Sequence, residues 1–238
     1  MHRLVDIGIT DLAWLLPPAA GVLWWLWRWG VGVGGAFYAL GRMLLQLLLI
    51  GYVLVVIFAT KHWFVVLGVL GVMLFFSSWI ALRTVPRRRP ALLRYAVPAI
   101  VLGGGTTLAL VGAGVLHLQP WYRPDYLIPL AGMVFANAMN SVSLAAERFF
   151  SERKEGHPLR EARHRAMGAA MIPVLNALFA VGLVSLPGMM TGQILSGVSP
   201  LIAARYQIMV MLMIFSAAGL SAGIFLWGLS REVDNPTQ

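Results

Sequence analysis

A chain of 238 residues in which 59% are hydrophobic and only 11% charged, with a mean hydropathy of +0.79, is far too apolar for water. Soluble domains carry about 25% charged residues, and large exposed apolar patches drive aggregation, so a water-soluble catalytic domain is excluded and a membrane is required. The formal net charge of +9 is distributed between apolar stretches rather than gathered in one patch, which argues against a nucleic-acid partner. The absence of cysteine excludes disulfides, thiolate metal sites and thiol redox relays.

In chain order, seven apolar stretches reach the ~20 residues needed to cross a ~30 Å hydrocarbon core: Leu12–Trp29, Ala36–Thr60, Trp63–Leu82, Tyr95–His117, Tyr126–Ala146, Ala169–Met190 and Gln207–Leu229. No basic n-region or A-x-A site accompanies the first, so it is expected to be a retained span rather than a signal peptide. With the N-terminus outside, the loops sort the basic residues sharply. Of the 18 Lys and Arg, fourteen fall inside, among them Arg28, Arg42, the Arg83–Arg94 group, the Arg148–Arg165 group and Arg231; Arg3, Lys61, Arg123 and Arg205 fall outside. Such a bias orients membrane proteins and suits contact with anionic lipids. The expected fold is therefore all-α. It is a single polytopic domain over residues 1–238, with about seven transmembrane helices, N-terminus outside and C-terminus cytoplasmic, in the inner (plasma) membrane. Trp24, Trp25, Trp27, Trp29, Trp63 and Trp121 suit aromatic belts.

Two charged segments punctuate the spans. Arg83-Thr-Val-Pro-Arg-Arg-Arg-Pro-Ala is a short basic turn that cannot stay in lipid. Glu147–Arg165 reads as a loop, with a turn at Gly156-His157-Pro158 and then a short surface helix from Leu159 to Arg165.

Within the spans, ionisable groups are missing. The nine Asp and Glu and the five His all fall at span ends or in loops, whereas proton-coupled carriers and intramembrane metalloenzymes place such groups inside the bundle. A membrane hydrolase also lacks the base its nucleophile needs. No catalytic residues are expected, and the chain does not read as an enzyme. Neutral polarity remains. Asn137, Asn140 and Ser141 are spaced i, i+3, i+4 on one helix face, either as interhelical glue or as the wet wall of a pathway. Gln46 and Asn176 add two more polar groups, and Pro173 frees a carbonyl one turn before Asn176. Met133, Met139, Met189 and Met190 are soft donors suited to soft metal ions or adaptable packing; a metal ligand set is not legible. Gly103-Gly104-Gly105-Thr106-Thr107 lacks the lysine of a phosphate loop and suits close helix packing, so no nucleotide site and no cofactor is encoded.

The segment Val181–Ile208, VGLVSLPGMMTGQILSGVSPLIAARYQI, is broken at Pro187-Gly188 and again at Ser199-Pro200 around a short amphiphilic piece holding Thr191 and Gln193. Spacing alone allows an ordinary helix–loop–helix. It also allows an interrupted span after the sixth helix, lining a pathway as in transporters. Non-helical backbone at membrane depth is tolerated only inside protein or along a wet cavity. On that reading the pathway residues are Asn137, Asn140, Ser141, Asn176, Met189, Met190, Thr191 and Gln193.

VGLVSLPGMMTGQI and the later P-x-x-A-A-R-Y-Q-I closely resemble the FetB-like family of ATP-binding-cassette (ABC) transporter permeases, described as iron exporters, whose plant relatives act with a separate ATPase in aluminium tolerance. GRMLLQLLLIGYVL (Gly41 to Leu54), AGMVFANAMNSVSLA (Ala131 to Ala145) and AAMIPVLN (Ala169 to Asn176) extend the resemblance over most of the chain. The resemblance implies a permease subunit that pairs as a homodimer and works by alternating access, driven by a separate ABC ATPase subunit. It implies export of a metal ion such as iron, although the neutral pathway lacks the carboxylates that bind hard cations. It also makes the Glu147–Arg165 segment a coupling loop, with Gly156, Pro158, Glu161 and Ala162 on it. Here the sequence departs from the family, since Asn140 to Ala169 is shorter than the family pattern. The contrasting readings are a non-transporting membrane scaffold or regulatory subunit and an uncoupled channel; an ATPase gene beside this one, or co-purification with an ATPase, separates them.

Overall fold

The computed structural model describes residues 8, 10–59 and 62–233, apart from the side chains of 56 and 230–233. Arg3 and Lys61, used in the topology count, lie outside the described residues, and Arg231 is described only in its backbone. Among the described residues the chain is helical, with no strand beyond an isolated bridge between Val181 and Ser185. By packing it falls into two compact units, 1–60 and 61–238.

In the first unit, a 3-10 turn at Asp11–Leu15 leads into α1 (Leu16–Arg28), which packs on α2 (Val33–Phe58). Pro17 sits in the first turn of α1, where its missing N–H would have no partner anyway. The two helices are joined through Gly30 and Gly32, whose φ of 70° and 61° is the left-handed region that glycine enters without strain. At 26 residues and 1.5 Å per residue, α2 is about 39 Å long.

The second unit is a bundle built around α6 (Pro124–Lys154), which packs against α3 (Trp63–Ala81), α7 (Leu159–Ala180) and α9 (Pro200–Val233). The seams are alanine. Ala131, Ala138 and Ala145 repeat every seven residues on α6, Ala162, Ala166 and Ala170 every four on α7, and Ala203 and Ala217 continue the pattern on α9; all are fully buried. Small residues let backbones approach closely, and this is how helices gain packing energy in lipid, where the hydrophobic effect between helices is absent.

Between α3 and α6 runs a helix of four successive parts. It begins as α4 (Arg89–Ile100), loosens to π geometry over Val101–Gly105, returns as α5 (Thr106–Leu110), and loosens again over Val111–Val115. Pro98 lies within α4 and removes one ladder bond. The glycines here serve contact: a Cβ on Gly103 would lie 2.4 Å from Ser221 Oγ and 2.5 Å from the Ser221 backbone nitrogen, and one on Gly104 would lie 2.9 Å from Val134 Cγ1. The sequence expectation that the Gly103–Gly105 cluster serves helix packing holds at these two positions.

Five helical segments among the described residues are long and apolar enough to cross a membrane: Val33–Val55, Trp63–Thr84, Pro86–Val115, Pro124–Lys154 and Pro200–Leu229. They coincide with the second, third, fourth, fifth and seventh expected spans. The first is represented by the 13-residue α1. The sixth, expected at Ala169–Met190, is the apolar half of α7, which stops at Ala180. The following interruption is present and begins earlier than Pro187-Gly188. Residues 181–187 form a turn, Pro187 caps the short α8 (Gly188–Leu195), and α9 starts at Pro200. One expectation needs correcting. The Glu147–Arg165 segment is not a loop with a separate surface helix; α6 runs on to Lys154, and Leu159–Arg165 is the opening of α7 itself.

Candidate functional site

The turn between α6 and α7 is closed by local chemistry. Gly156 has φ +89°, its N–H bonds the Arg153 carbonyl at 3.3 Å, and the His157 N–H bonds the Glu152 carbonyl at 3.1 Å. This pair of bonds across a left-handed glycine is a Schellman C-cap, which satisfies carbonyls left over at the helix end. Arg153 Nη1 adds a bond to the His157 carbonyl at 2.8 Å. Pro158 then takes the N-cap position of α7, its carbonyl accepting from Ala162 N–H at 2.9 Å. Glu161 falls in the first turn, where a carboxylate complements the helix dipole. Gly156, Pro158, Glu161 and Ala162 are thus brought together in one helix–turn–helix. Ala162 is wholly buried, so it packs rather than presents itself. Glu161, half exposed, is bonded to Arg165 four residues on in the same helix.

Sequence reasoning missed the residue at the centre of this turn. Glu152 is fully buried, and its two oxygens are held by Arg148 on its own helix, by Arg165 Nη1 at 3.0 Å from α7, and by His157 Nε2 at 3.4 Å. A buried carboxylate is sustainable only when paired; here Arg165 hydrogen-bonds Oε2, while Oε1 is paired by charge with Arg148 and has no hydrogen bond among the described residues. The Arg148–Glu152 spacing of four was legible; that α7 returns an arginine to the same carboxylate was not. Glu152, Glu155 and His157 place ligand atoms within 4.8 Å of one another, a spacing that suits a metal ion. The arginines already engage both Glu152 oxygens, and the arrangement reads as an ion-pair network.

The expected pathway residues divide. Ser141 is buried and donates to the Ala170 carbonyl of α7 at 3.2 Å, and Asn137 Nδ2 donates to the Met133 carbonyl of its own helix at 2.8 Å. Both are occupied by intramolecular bonds. Asn140 on α6 and Asn176 on α7 are exposed. On α8, Thr191 Oγ1 donates to the Pro187 carbonyl at 3.2 Å, while Gln193 Oε1 is enclosed with no donor in reach among the described residues. Met189 lines a cavity of about 200 Å³ with Met133 of α6 and Met209 of α9, and with Asp125, Tyr126 and Tyr206. Met190 is half-buried beside it and is not among its walls. The structure therefore joins Met133 and Met189 but separates the Asn137–Ser141 face into packing and exposed members. Tyr206 and Met209 were not foreseen; they follow from α9 starting two turns before the apolar stretch at Gln207.

Among the described residues, the helical architecture and the five long apolar segments are those of a multi-pass membrane protein. The chain belongs to the uncharacterised protein family UPF0014, whose model matches residues 10–163 and 155–233. The two matched stretches overlap at 155–163, on the α6–α7 turn. The chain is 36% identical to a UPF0014 membrane protein of Synechocystis, over 92% of this chain and 91% of that protein. It is 34% identical to the probable iron export permease protein FetB of Escherichia coli, over 83% and 81%. It is 32% identical to the protein ALUMINUM SENSITIVE 3 of Arabidopsis thaliana, over 79% and 73%. No solved structure matches it.

Proposed function

We propose that this chain, acting as one domain over residues 1–238, is the membrane-spanning permease subunit of an ABC transporter that exports a metal ion or metal complex. ATP is bound and hydrolysed on a separate ATPase subunit, and two copies of the chain form the membrane half of the machine. The observation that carries the reading is the similarity over 83% of the chain to a protein named as an iron export permease. The interrupted passage supports it: a broken helix is stable in a membrane only where protein or a wet cavity covers its backbone, which is how transporters build substrate sites.

In this reading the α6–α7 turn, capped at Gly156 and keyed by Glu152, is the rigid element through which the ATPase acts, and the sorting of basic residues supports a cytoplasmic position for it. The exposed Asn140 and Asn176 and the enclosed Gln193 carbonyl face the passage, while Ser141 ties α6 to α7 and Asn137 is taken up by its own helix. The Met133–Met189–Met209 cavity favours a soft or chelated metal over a bare hard cation, because thioethers bind soft ions, hard ones demand several oxygens, and the carboxylate in its wall, Asp125, is already paired with Arg123 at 2.6 Å.

The test is co-purification and transport. Tagged chain expressed beside the ATPase of its own genome is expected to bring that ATPase down in equal amounts, and cells carrying both are expected to accumulate less metal when loaded. Purification without any ATPase, with metal content unchanged, would overturn the proposal and favour a membrane scaffold.

A further inference from the structure

Besides the passage and the coupling turn, the second unit has a groove of about 680 Å³ between the α3–α4 turn and the far end of α6. Its walls carry Arg87, Arg88, Arg153 and Lys154, and its floor is Phe149 and Phe150. The three consecutive arginines of the turn are not equivalent. Arg89 turns inward, donating through Nε to the Trp79 carbonyl at 2.8 Å and stacking 3.9 Å over the Trp79 ring. Arg87 and Arg88 are left in the groove, Arg88 lying 4.5 Å over the Phe150 ring. Arg153 bonds only a carbonyl, that of His157. Among the described residues, none of the four pairs with a carboxylate. Of the acids near this end of α6, Glu152 and Glu161 are bonded to Arg148 and Arg165, Glu155 accepts from Ser151 and lies near His157, and neither Glu155 nor Glu147 lines the groove. The α6 end thus has a neutralised face toward α7 and an unneutralised cationic face toward the α3–α4 turn.

We infer that this groove binds the phosphate headgroup of an anionic phospholipid. The charge is complementary, and the depth matches. The apolar span on α3 ends at Thr84, and the groove begins at the next residue. On α6 the apolar stretch read from the sequence ends at Ala146 and charged residues follow from Glu147, so Phe149 stands about 4–5 Å beyond it and Lys154 about 12 Å, at 1.5 Å per residue. The headgroup layer is about 5–8 Å thick on each side, and long basic side chains reach back toward it. An aromatic floor beneath four cations suits a ligand with a charged end and an apolar end, the property that separates a lipid from free phosphate. Basic pockets at this level of a membrane protein are the recognised setting for acidic headgroups.

The experiment uses the full-length protein in neutral detergent, with phosphatidylglycerol, cardiolipin, phosphatidylcholine or inorganic phosphate added at matched phosphate concentration. Tm and the lipid retained in native mass spectra are read. Anionic lipids are expected to raise Tm by several degrees, as any ligand that binds only the folded state does, and at least one is retained per chain. The triple variant Arg87→Gln, Arg88→Gln, Lys154→Gln is expected to bind at least tenfold more weakly, and Arg87→Lys with Arg88→Lys to keep the response. Should the triple variant not fold, Lys154→Gln alone is expected to show a weakened response in the same measurements. Equal responses to phosphatidylcholine, an unchanged response in the variants, or full reproduction by inorganic phosphate would overturn the assignment. So would loss of ATPase association in the triple variant with lipid binding intact, which would make the groove a protein interface.

Discussion

Glu152, enclosed near the end of α6, accepts a hydrogen bond from Arg165 of α7 at 3.0 Å, and this contact ties the two helices together directly beneath the Gly156 turn. The glutamate is fully buried while Arg148 and Arg165 are each about half exposed. Removing the glutamate therefore leaves two cations that can turn to water, whereas removing both arginines strands a buried charge. Glu152→Gln is expected to lower stability by about 1–3 kcal/mol, the range for leaving a buried polar partner unsatisfied. Arg148→Ala with Arg165→Ala is expected to cost about 3–5 kcal/mol, the range for breaking a buried pair. Thermal unfolding of the purified variants checks the order, and equal losses would mean that Glu152 is more hydrated than its burial implies.

The approach of α9 to the π-helical turn gives a second prediction. A Cβ at position 103 would meet Ser221 at both Oγ and the backbone nitrogen, while one at position 105 meets nothing within 4 Å. Gly103→Ala is expected to destabilise by about 1–3 kcal/mol through overpacking, and Gly105→Ala to be neutral or slightly stabilising. Because the backbone nitrogen stays at 2.5 Å, adding Ser221→Ala should not rescue Gly103→Ala. Rescue would show that only the hydroxyl obstructs.

Apolar runs of span length were readable because burial in lipid needs nothing beyond composition and length, and α2, α3, α6 and α9 appear where those runs lie. The Pro and Gly positions likewise announced the α7–α8–α9 interruption. What the sequence could not show was pairing at a distance. The charged stretch after Ala146 looked like a loop because its charges were counted one by one. In the folded chain Arg148, Arg165 and His157 converge on Glu152, so the helix can continue through it. The same limit applied to Ser141, whose helix face was legible but whose partner on α7, the Ala170 carbonyl, was not. The break after α7 comes about two turns earlier than expected, since α7 ends at Ala180 and Gly182, with φ +83°, already turns the chain ahead of Pro187.

The coupling proposal makes a prediction at Glu161. Its bond to Arg165 joins two side chains each about 40% exposed (42% and 40%), and exposed i, i+4 pairs contribute only about 0.3–0.5 kcal/mol. Glu161→Arg should therefore leave the melting temperature of the membrane protein almost unchanged. If the turn receives the ATPase, the same variant is expected to lose co-purifying ATPase and transport together. An intact complex with normal transport would move the coupling role to another segment.

The last prediction separates passage from packing among the neutral polar groups. Ser141 holds α6 to α7 through the Ala170 carbonyl, so Ser141→Ala is expected to lower stability by about 0.6–2 kcal/mol, the range for interhelical hydrogen bonds in membranes, and to leave transport per folded molecule intact. Asn140 is exposed and has no such bond among the described residues, and Gln193 Oε1 is enclosed without a donor. Asn140→Leu and Gln193→Leu should keep or slightly raise stability, since each removes a polar group that the fold does not satisfy. If the two line the passage, both variants are expected to reduce transport several-fold, because a solute stripped of water finds no hydrogen-bonding partner on an apolar wall. Stability and transport measured on the same preparations decide the matter: a stability loss with unchanged transport at Gln193 would assign α8 to packing and leave Asn140 alone on the route.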